Sequence, residues 1–465
     1  MPEEEACGPS ADLRSSTMAL LRPHAVAVLG ASEDPATPGG AFLLSLVRGG
    51  FQGPIYPIIE AERGARRVPS QVLAKKVLRS VDELPTGVDL AVVVLPPERA
   101  SAAAVDCVRK GARAIVVPGR GFAESHARGR ELQVAMVDQV ESRGARLLGP
   151  NSLGIYSRSG GLDLAPSVPV RGEEPAAVAL LSQAGELDSL FIETLRSHGL
   201  GLALYASLGN AADLSFEHLL PAASMEPGVR AVAMVPAGTV DRLALSSAVR
   251  GVAPRTPVLV AHKVRGRAAM RAARSHAGAA AEASEAMPDL EAAGAVLATD
   301  LVDLADRTAA MVLQPRARGR RVAVISNSGG AAVAAASHLE DMRLEVPVLP
   351  EQVQRALVQW LPEHGTAANP VNLGGALPTG SLRPIADGVL GQPTVDGAVV
   401  LAVGTDMPAL ATAAAEAAAA RGKPVVGVAV RAPLTAKAMR EAGMPVYPSP
   451  ARAARAYQAL VPGPL

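Results

Sequence analysis

Residues 324–336 read VISNSGGAAVAAA, a β-branched run that passes through small residues into an alanine-rich stretch. Because β-branched residues favour strands and alanine favours helices, this segment predicts a strand, a short loop and a helix. The same order occurs in VLGASEDPATPGGAF at 28–42 and in LLSQAGELDSL at 180–190. Three such junctions predict a parallel α/β fold, in which helices return the chain from one strand to the next.

Similar strand-forming runs alternate with Ala/Leu/Arg-rich stretches along nearly the whole chain. A Pro-rich passage at 164–175 and a basic stretch at 313–321 divide these runs into three series. We therefore expect three consecutive parallel-sheet domains, at 1–150, 151–312 and 320–465. The predicted strands are 25–30, 54–59, 89–96, 112–119, 145–151, 177–185, 201–210, 229–238, 257–263, 321–330, 397–404 and 423–430. The run ATAAAEAAAA at 411–420 predicts a helix.

The composition excludes several classes of protein. The 465 residues are 49% hydrophobic and carry a formal net charge of +1, so the chain can form large cores and has no charge excess to attract nucleic acid or an anionic membrane. The acidic start lacks the features of a signal peptide, and no run is apolar enough to span a membrane, so we expect a cytoplasmic protein. Cys7 and Cys107 form no CxxC motif, which predicts free thiols.

The histidines give no support for a metal site, because none of them shows HxH, HxxxH or HExxH spacing. One of the eight, His276, lies in an alanine-rich tract, ARSHAGAAAEAS at 273–284. On composition alone it would be an ordinary loop or helix residue. For the others we predict exposed or helix-capping positions: His24, His126, His198, His218, His262, His338 and His364.

The three junctions are candidate anion sites. A helix N-terminus has unpaired N–H groups and a partial positive charge, and small residues allow a phosphate to approach them. At a single junction, Gly and Ser could equally serve only to turn the chain, but three junctions favour ligand binding. The first junction matches neither GxGxxG nor a P-loop. Glu60 could imitate the acid that holds an NAD ribose, but it follows Gly30 by 30 residues where about 20 is usual, so an NAD-dependent dehydrogenase ranks last.

Ten short motifs follow one another in a characteristic order. They are HAVAVLGAS, FQGPIYPI, VDLAVVVLPPE, GFAES, RLLGPNSLGIY, ALLSQAGEL, SLGNAADL, SHAG, RVAVISNSGG and NPVNL. In this order they resemble the α chain of the NDP-forming acyl-CoA synthetases, relatives of succinyl-CoA synthetase. The resemblance implies a Rossmann-like CoA-binding domain followed by two flavodoxin-like ligase domains. It also implies an acid–thiol ligase that interconverts acyl-CoA, NDP and phosphate with a carboxylic acid, CoA and NTP.

The resemblance further implies a partner, because the Mg-nucleotide of the family binds an ATP-grasp domain, here expected on a separate β subunit of a hetero-oligomer. The residues implied to contact CoA are Gly30, Ala31, Ser32, Leu95, Pro96, Pro118, Gly119, Arg120 and Asn151, the last of them near the thioester. The residues implied to surround phosphate are Ser182, Ala184, Gly185, Ser207, Gly209, Asn210, Gly329 and Gly330. The CoA positions lie at the carboxyl ends of predicted parallel strands, where α/β sheets bind ligands.

The SHAG motif explains His276 in the same way. It stands where the family has a histidine that is phosphorylated and carries phosphate between acyl-CoA and NDP. An unprotonated imidazole is nucleophilic near neutral pH, and a phosphoramidate can pass its phosphoryl group onward. Helices that begin at 184–185 and 329–330 would point their positive ends at this group from two sides.

Four departures from the family pattern fall near the implied chemistry. Ala184 replaces the second serine of SQSG, Ala277 replaces the threonine of HTG, and Asn372 replaces the acid of NPVDL. Ala237 stands where a glutamate that would orient the imidazole is common, and Glu186 is our candidate for its substitute, hence a candidate catalytic residue. The departures leave a second interpretation open, a catalytically weakened scaffold or sensor that binds CoA or acyl-CoA.

Overall fold

The structure is a computed structural model that describes residues 11–60, 68–238, 240–261 and 280–463. It divides into two compact units, the first comprising Met1–Ile192 and Gly201–Leu301 and the second comprising Glu193–Leu200 and Val302–Leu465. Helices and mainly parallel sheets make up both units, which confirms the predicted α/β class. The division into three domains at 150 and 312 remains a proposal.

The first unit contains a five-stranded parallel sheet at its N-terminal end. Its strands are β1 (Val26–Leu29), β2 (Ile55–Ile58), β5 (Leu90–Val93), β6 (Ala114–Val116) and β7 (Arg146–Leu148), and a small hairpin adds β3 (Gln71–Val72) and β4 (Lys75–Lys76). Its helices are α1 (Ala11–Leu21), α2 (Pro38–Arg48), α3 (Pro97–Arg109) and α4 (Ala127–Glu141). The strand order β2-β1-β5-β6-β7 reverses between β1 and β5, which leaves a crevice beyond their carboxyl ends.

The same unit contains a second, seven-stranded sheet. Its strands are β8 (Ile155–Ser157), β9 (Leu162–Leu164), β10 (Ala176–Ser182), β11 (Gly201–Ser207), β12 (Ala231–Val235), β13 (Val258–Ala261) and β14 (Val296–Ala298). Its helices are α6 (Phe216–Met225), α7 (Arg242–Val252), α8 (Ala280–Ala292) and the first half of α5 (Asp188–Ser197), whose residues after Ile192 are assigned to the second unit. In the order β14-β13-β12-β10-β11-β8-β9 the direction of winding reverses between β10 and β12. The antiparallel hairpin of β8 and β9 was not predicted, because strands this short show no periodicity.

One hydrophobic core serves both sheets of the first unit. Leu46 and Val92 from the first sheet region belong to the same buried cluster as Leu204 and Val232 from the second. The strands β10 and β11 are buried almost throughout, as strands covered on both faces should be. The shared core therefore packs the two sheets against common buried residues within this unit.

The second unit has a five-stranded parallel sheet in the order β16-β15-β17-β18-β19. Its strands are β15 (Val322–Ser326), β16 (Val371–Asn372), β17 (Gly397–Val403), β18 (Val425–Val430) and β19 (Val446–Tyr447). Its helices are α9 (Leu301–Leu313), α10 (Gly329–Asp341), α11 (Glu351–Val358), α12 (Thr379–Leu390), α13 (Pro408–Ala419), α14 (Pro433–Glu441) and α15 (Pro450–Gln458). The helix predicted at 411–420 corresponds to α13. Every predicted strand in the chain overlaps an observed strand.

Two of the histidines expected at the surface or at caps begin helices. The His126 ring accepts the N–H of Gly129 at 2.8 Å and caps α4, and His218 forms a capping box with Ser215 at the start of α6. His24 and His364 are exposed. These four residues agree with the prediction.

The prediction for His198 is wrong, because its side chain is completely buried. Its Nε2 lies 2.8 Å from Oδ1 of Asp306, and Arg452 binds both oxygens of that carboxylate. Burial opposes ionisation of Asp306, but the hydrogen bonds from Arg452 and His198 hold the pKa of the carboxyl below its ordinary value. His198 is therefore part of a buried polar network of the second unit.

Cys107 is a free thiol, and burial, together with the nearby charge of Asp106, raises its pKa to about 12. Cys7 lies outside the described residues. Among the described helices, none is both long and apolar enough to cross a membrane. In the same part of the chain, no cluster of His, Cys, Asp and Glu could hold a metal ion.

Candidate functional site

The loops after β1 and β5 meet at the reversal of the first sheet. Gly30 has φ +74°, and a Cβ on it would lie 2.2 Å from the carbonyl oxygen of Val94. A Cβ on Gly39, in the first turn of α2, would lie 1.8 Å from the Gly30 oxygen, so both glycines are required by close backbone contacts. The residues predicted to bind CoA that this contact brings together are Gly30, Ala31, Ser32, Leu95 and Pro96.

The loops after β6 and β7 continue the same edge of the sheet. A Cβ on Gly119 would lie 3.2 Å from the carbonyl oxygen of Leu95, and the N–H of Asn151 donates to the Gly119 oxygen at 2.9 Å. Asn151 itself has φ +60°, a left-handed conformation that Asn tolerates better than most residues. The structure therefore gathers all the predicted CoA positions, including Pro118 and Arg120, along one edge.

The turn after β11 connects this edge to the second sheet. Gly209 has φ +55°, and a Cβ on it would lie 2.1 Å from the carbonyl oxygen of Pro150. The N–H of Asn210 donates to the same oxygen at 2.9 Å, and Nδ2 of Asn151 donates to Oδ1 of Asn210 at 3.2 Å. Predicted CoA and phosphate residues thus lie side by side.

Gln183, which the sequence analysis did not single out, joins three loops of the second sheet. Its Oε1 accepts the N–H groups of Ala237 at 3.0 Å and Gly238 at 3.1 Å, and its Nε2 donates to the carbonyl oxygen of Gly209 at 3.0 Å. It thereby spans the reversal between β10 and β12. The departure at Ala237 lies directly beside this amide. A long amide at the end of a predicted strand, next to Gly and Ala, is the sequence signal that could have identified it.

Ser182 lies at the end of β10, but its hydroxyl is already engaged. Its Oγ accepts the N–H of Ala184 at 2.9 Å and donates its hydrogen to Asp188 at 2.5 Å. Asp188 is buried and also accepts the hydroxyl hydrogen of Tyr205 at 2.8 Å. Because a serine has one hydroxyl hydrogen, Ser182 has none left for a phosphate.

Tyr205 reports on the environment of this buried carboxylate. Burial, followed by the negative charge of Asp188, raises the pKa of Tyr205 well above its ordinary value. The phenol therefore stays protonated and can donate to Asp188 at neutral pH. An acid in the first turn of a predicted helix normally suggests only a favourable helix dipole, and its burial could not be read from the sequence.

Two predicted site residues face each other across the two sheets of the first unit. Arg120, after β6, forms an ion pair with Glu186 at 3.3 Å, and both side chains are more than two-thirds exposed. Gly185, next to Glu186, has φ +67°, and a Cβ on it would meet no other atom within 4 Å. Glu60 is likewise engaged, since Arg99 donates to its carboxylate at 2.5 Å.

In the second unit, Gly329 and Gly330 open α10, as predicted. The side chain of Ser328 caps the helix by accepting the N–H of Ala331 at 3.4 Å. A Cβ on Gly329 would lie 3.3 Å from Nδ2 of Asn372, so the amide that replaces the family's acid lies beside the helix start. An amide there places no negative charge next to the positive end of α10.

His276 and Ala277 lie outside the described residues. The predicted approach of two helix N-termini to His276 therefore remains a prediction. The roles of Ser182, Ala184, Gly185, Glu186, Gly209, Asn210, Gly329 and Gly330 also remain predictions, now with their positions known.

Two protein families match parts of the chain. A family described as CoA binding domain matches residues 24–158, and one described as succinyl-CoA ligase like flavodoxin domain matches residues 175–311. These matches cover the two sheets of the first unit in turn. They agree with the motif order read from the sequence.

Relatives match over nearly the full length. The chain is 29% identical over 461 residues to the ADP-forming acetate–CoA ligase I subunit alpha of Pyrococcus furiosus, covering 96% of this chain and 97% of the relative. It is 27% identical over 453 residues to the corresponding ligase II subunit alpha of that organism, covering 95% and 96%. Among solved structures, the dinucleotide forming acetyl-coenzyme A synthetase 1 of Ca. Korarchaeum cryptofilum, in complex with phosphate and ADP, is 28% identical with a TM-score of 0.84 over 96% of each chain.

Proposed function

Since the chain belongs to the NDP-forming acyl-CoA synthetase family, we propose that it is the α-type subunit of an acid–thiol ligase. It interconverts acyl-CoA, NDP and phosphate with a carboxylic acid, CoA and NTP. His276 is the residue that accepts the phosphoryl group. The Mg-nucleotide binds a separate ATP-grasp β subunit, so the working enzyme is a hetero-oligomer.

The observation that carries this proposal is the continuous edge of loops in the first unit. The edge runs from Gly30 through Gly119 and Asn151 to Gly209, each step being a hydrogen bond or a close backbone contact. Gln183 extends it to the loop after β12. An elongated CoA molecule could lie along the first sheet with its thiol end next to the phosphate loops of the second, as thioester formation from a phosphorylated intermediate requires.

The partner subunit has separate support. Two of the relatives are named alpha subunits of ADP-forming acetate–CoA ligases, and this chain matches almost all of their length. A subunit so named works with another chain. We assign nucleotide binding to that chain because the loops described above are accounted for by CoA and phosphate.

Reconstitution tests the proposal. The chain is mixed with an ATP-grasp subunit, CoA, Mg-ATP and a panel of carboxylic acids that begins with acetate, and acyl-CoA is measured. We expect turnover by the mixture and CoA binding, without turnover, by the chain alone. His276→Asn should abolish both turnover and transfer of labelled phosphate from ATP, while His338→Asn, at a surface histidine outside the site, should change neither. Labelled phosphate that persists in His276→Asn would contradict the assignment.

The same assay tests Glu186 as the substitute for the missing glutamate. Glu186→Gln should slow phosphate incorporation if the carboxylate orients the imidazole. An unchanged rate would remove Glu186 from the catalytic residues. It would leave the ligase proposal intact.

A second candidate is a CoA-binding scaffold or sensor. The engaged hydroxyl of Ser182 and the lack of a carboxylate at Ala237 favour it, because both reduce the polar groups available to a phosphoryl intermediate. Calorimetry with CoA, combined with the phosphate-transfer assay, separates the two functions. Tight CoA binding without any phosphorylation of His276 would select the scaffold.

A further inference from the structure

A carboxylate hub connects the two sheets of the first unit at the candidate site. Glu124, in the loop after β6, accepts the N–H groups of Gly121 at 2.6 Å and Phe122 at 3.1 Å on Oε1. Its other oxygen, Oε2, accepts Nδ2 of Asn210 at 2.5 Å. One side chain thus shapes the loop that holds the predicted CoA residues and also holds the turn of the second sheet.

Asn210 is completely engaged in this arrangement. Both hydrogens of its Nδ2 are used, one by Glu124 and one by Oε1 of Gln133 at 2.9 Å, and its Oδ1 accepts Nδ2 of Asn151 at 3.2 Å. Its backbone N–H donates to Pro150. An asparagine side chain with both hydrogens committed has none to offer a phosphate. The implied role of Asn210 as a direct phosphate ligand therefore does not fit this geometry.

The chemistry requires an acid at position 124. Only a carboxylate accepts hydrogen bonds on both of its oxygens, whereas a glutamine presents one acceptor and one donor. Burial opposes the ionisation of Glu124, but the hydrogen bonds from Asn210 and from the N–H groups of Gly121 and Phe122 hold its pKa below the ordinary value. The carboxylate is therefore charged at neutral pH, and its hydrogen bonds are strengthened by that charge.

We propose that Glu124 is a positioning residue, which acts through Asn210 to fix the CoA loop at 118–122 against the phosphate turn at Gly209. This inference rests on the proposed function and adds to it a residue that controls the placement of both CoA and phosphate. Neither Glu124 nor Asn210 touches the reacting atoms. Their effect is on the distance between the thiol end of CoA and the phosphate, which is decisive for reaction between two bound groups.

A charge exchange between the two residues tests the proposal. In Glu124→Gln, the new amide NH2 faces Nδ2 of Asn210 in one orientation and the N–H groups of Gly121 and Phe122 in the other. A donor therefore faces a donor in either case. In Asn210→Asp, a carboxylate faces the carboxylate of Glu124. In the double variant E124Q/N210D, the amide NH2 at position 124 faces an acceptor, the carboxylate at position 210. Gln133 can turn its amide to donate to the same carboxylate and loses only the long 3.4 Å bond from the N–H of Ala123.

The measurement is steady-state kinetics of the complete complex in the direction that consumes acetyl-CoA, phosphate and Mg-ADP. Because a hydrogen bond to a charged group contributes about tenfold in affinity, each single variant should raise the KM for acetyl-CoA and for phosphate about tenfold. Loss of positioning should lower kcat as well. A variant that lowers kcat and leaves both KM values unchanged would contradict the proposal. E124Q/N210D should return both KM values to within about threefold of wild type.

Glu131→Gln is the matched control, a change of an exposed glutamate that pairs with Arg128 on α4, and it should leave both KM values unchanged. If a single variant does not fold, Gln133→Ala removes the second acceptor of Asn210, together with the long 3.4 Å bond from the N–H of Ala123, and should raise the same two KM values about threefold. If the wild-type complex turns over but Glu124→Gln and Asn210→Asp leave both KM values unchanged, this inference is overturned while the proposed function stands. A double variant that is no better than the worse single variant would have the same consequence. No turnover by the wild-type complex would instead reject the proposed function.

Discussion

The junctions after β10 and after β15 begin in the same way, although they belong to different units. Ser182 and Ser326 are the last residues of their strands, and each accepts the N–H of the residue two positions on, at 2.9 Å and 3.0 Å. The donors are Ala184 and Ser328. The shared pattern of serine, amide residue, small residue and glycine therefore builds the same turn twice.

The amide residue of each junction also has the same task. Gln183 binds the backbone of Ala237 and Gly238 after β12. Asn327 accepts the N–H of Val403, the last residue of β17, at 2.9 Å and donates to its oxygen at 3.1 Å. In each sheet the bridged strands are those between which the winding reverses. The amide thus ties together the two loops that border a ligand crevice.

The junctions differ in the charge at the helix start. Six residues after the serine, the first junction has buried Asp188 and the second has buried Ala332. The first turn of α10 contains no acid. A carboxylate balances the partial positive charge at the start of a helix, so Asp188 reduces the attraction of α5 for an anion. The start of α10 has no such carboxylate and retains this attraction. Gly and Ser alone therefore do not define an anion site. The residue six positions after the serine determines whether a negative charge lies at the helix start.

The largest difference between the two junctions should appear in Asp188→Ala. The substitution leaves the buried hydroxyls of Ser182 and Tyr205 without their acceptor, so we expect a loss of about 3 kcal/mol in the local free energy of opening. Hydrogen exchange of peptides from residues 176–207 measures it, because a chain with two units need not unfold in one step.

The matched control is Ala332→Gly at the corresponding position of α10. It removes no polar partner and should cost about 1 kcal/mol, from helix propensity alone, in peptides from residues 322–341. Tyr205→Phe should fall between the two, because it removes one donor to Asp188 while leaving Ser182 in place. Equal losses in Asp188→Ala and Ala332→Gly would show that the buried carboxylate has no special role.

A second prediction concerns the feature the junctions share. Gln183→Leu and Asn327→Leu each remove an amide that bridges two loops, and each should destabilise its own strand ends by about 1–2 kcal/mol, since the freed backbone groups are partly accessible to water. Hydrogen exchange of the loops after β12 and β17 reports the two losses separately.

Gln183→Glu and Asn327→Asp separate the role of the amide oxygen from that of the amide N–H. Each keeps the oxygen that accepts backbone N–H groups and loses the donor, so each should cost less than the leucine variant. A large loss in one unit with none in the other would mean that the common motif does not have a common function.

The predicted strands all overlap observed strands because they are short apolar runs, most of which end in loop-forming residues such as Gly, Pro or Asn. The sequence placed Gly30, Gly119 and Gly209 at loops, and the close contacts there explain why glycine is needed. It did not predict the hairpin of β8 and β9, because strands of three residues are too short to show an alternating pattern.

The site was predicted less completely than the fold, for a physical reason. The roles of Gln183, Asp188 and Glu124 arise from partners 54, 17 and 86 residues away, at Ala237, Tyr205 and Asn210. Hydrogen bonds over such separations leave no periodicity in a single sequence. The family motifs indicated which loops matter, and the structure indicates which side chains hold them together.

The exposed charge of the first junction, Glu186, should contribute least. Its ion pair with Arg120 is solvent-exposed, and such pairs contribute roughly 0.2–1 kcal/mol. Because Arg120 is expected to bind an anionic group of CoA, removal of its competitor in Glu186→Gln should tighten CoA binding by calorimetry about two- to fivefold, and added salt should shrink the gain. In an Arg120→Ala background the same change should have no effect. Equal tightening in both backgrounds would mean that Glu186 repels CoA directly, so the charge of the β10 junction would act on the ligand without Arg120.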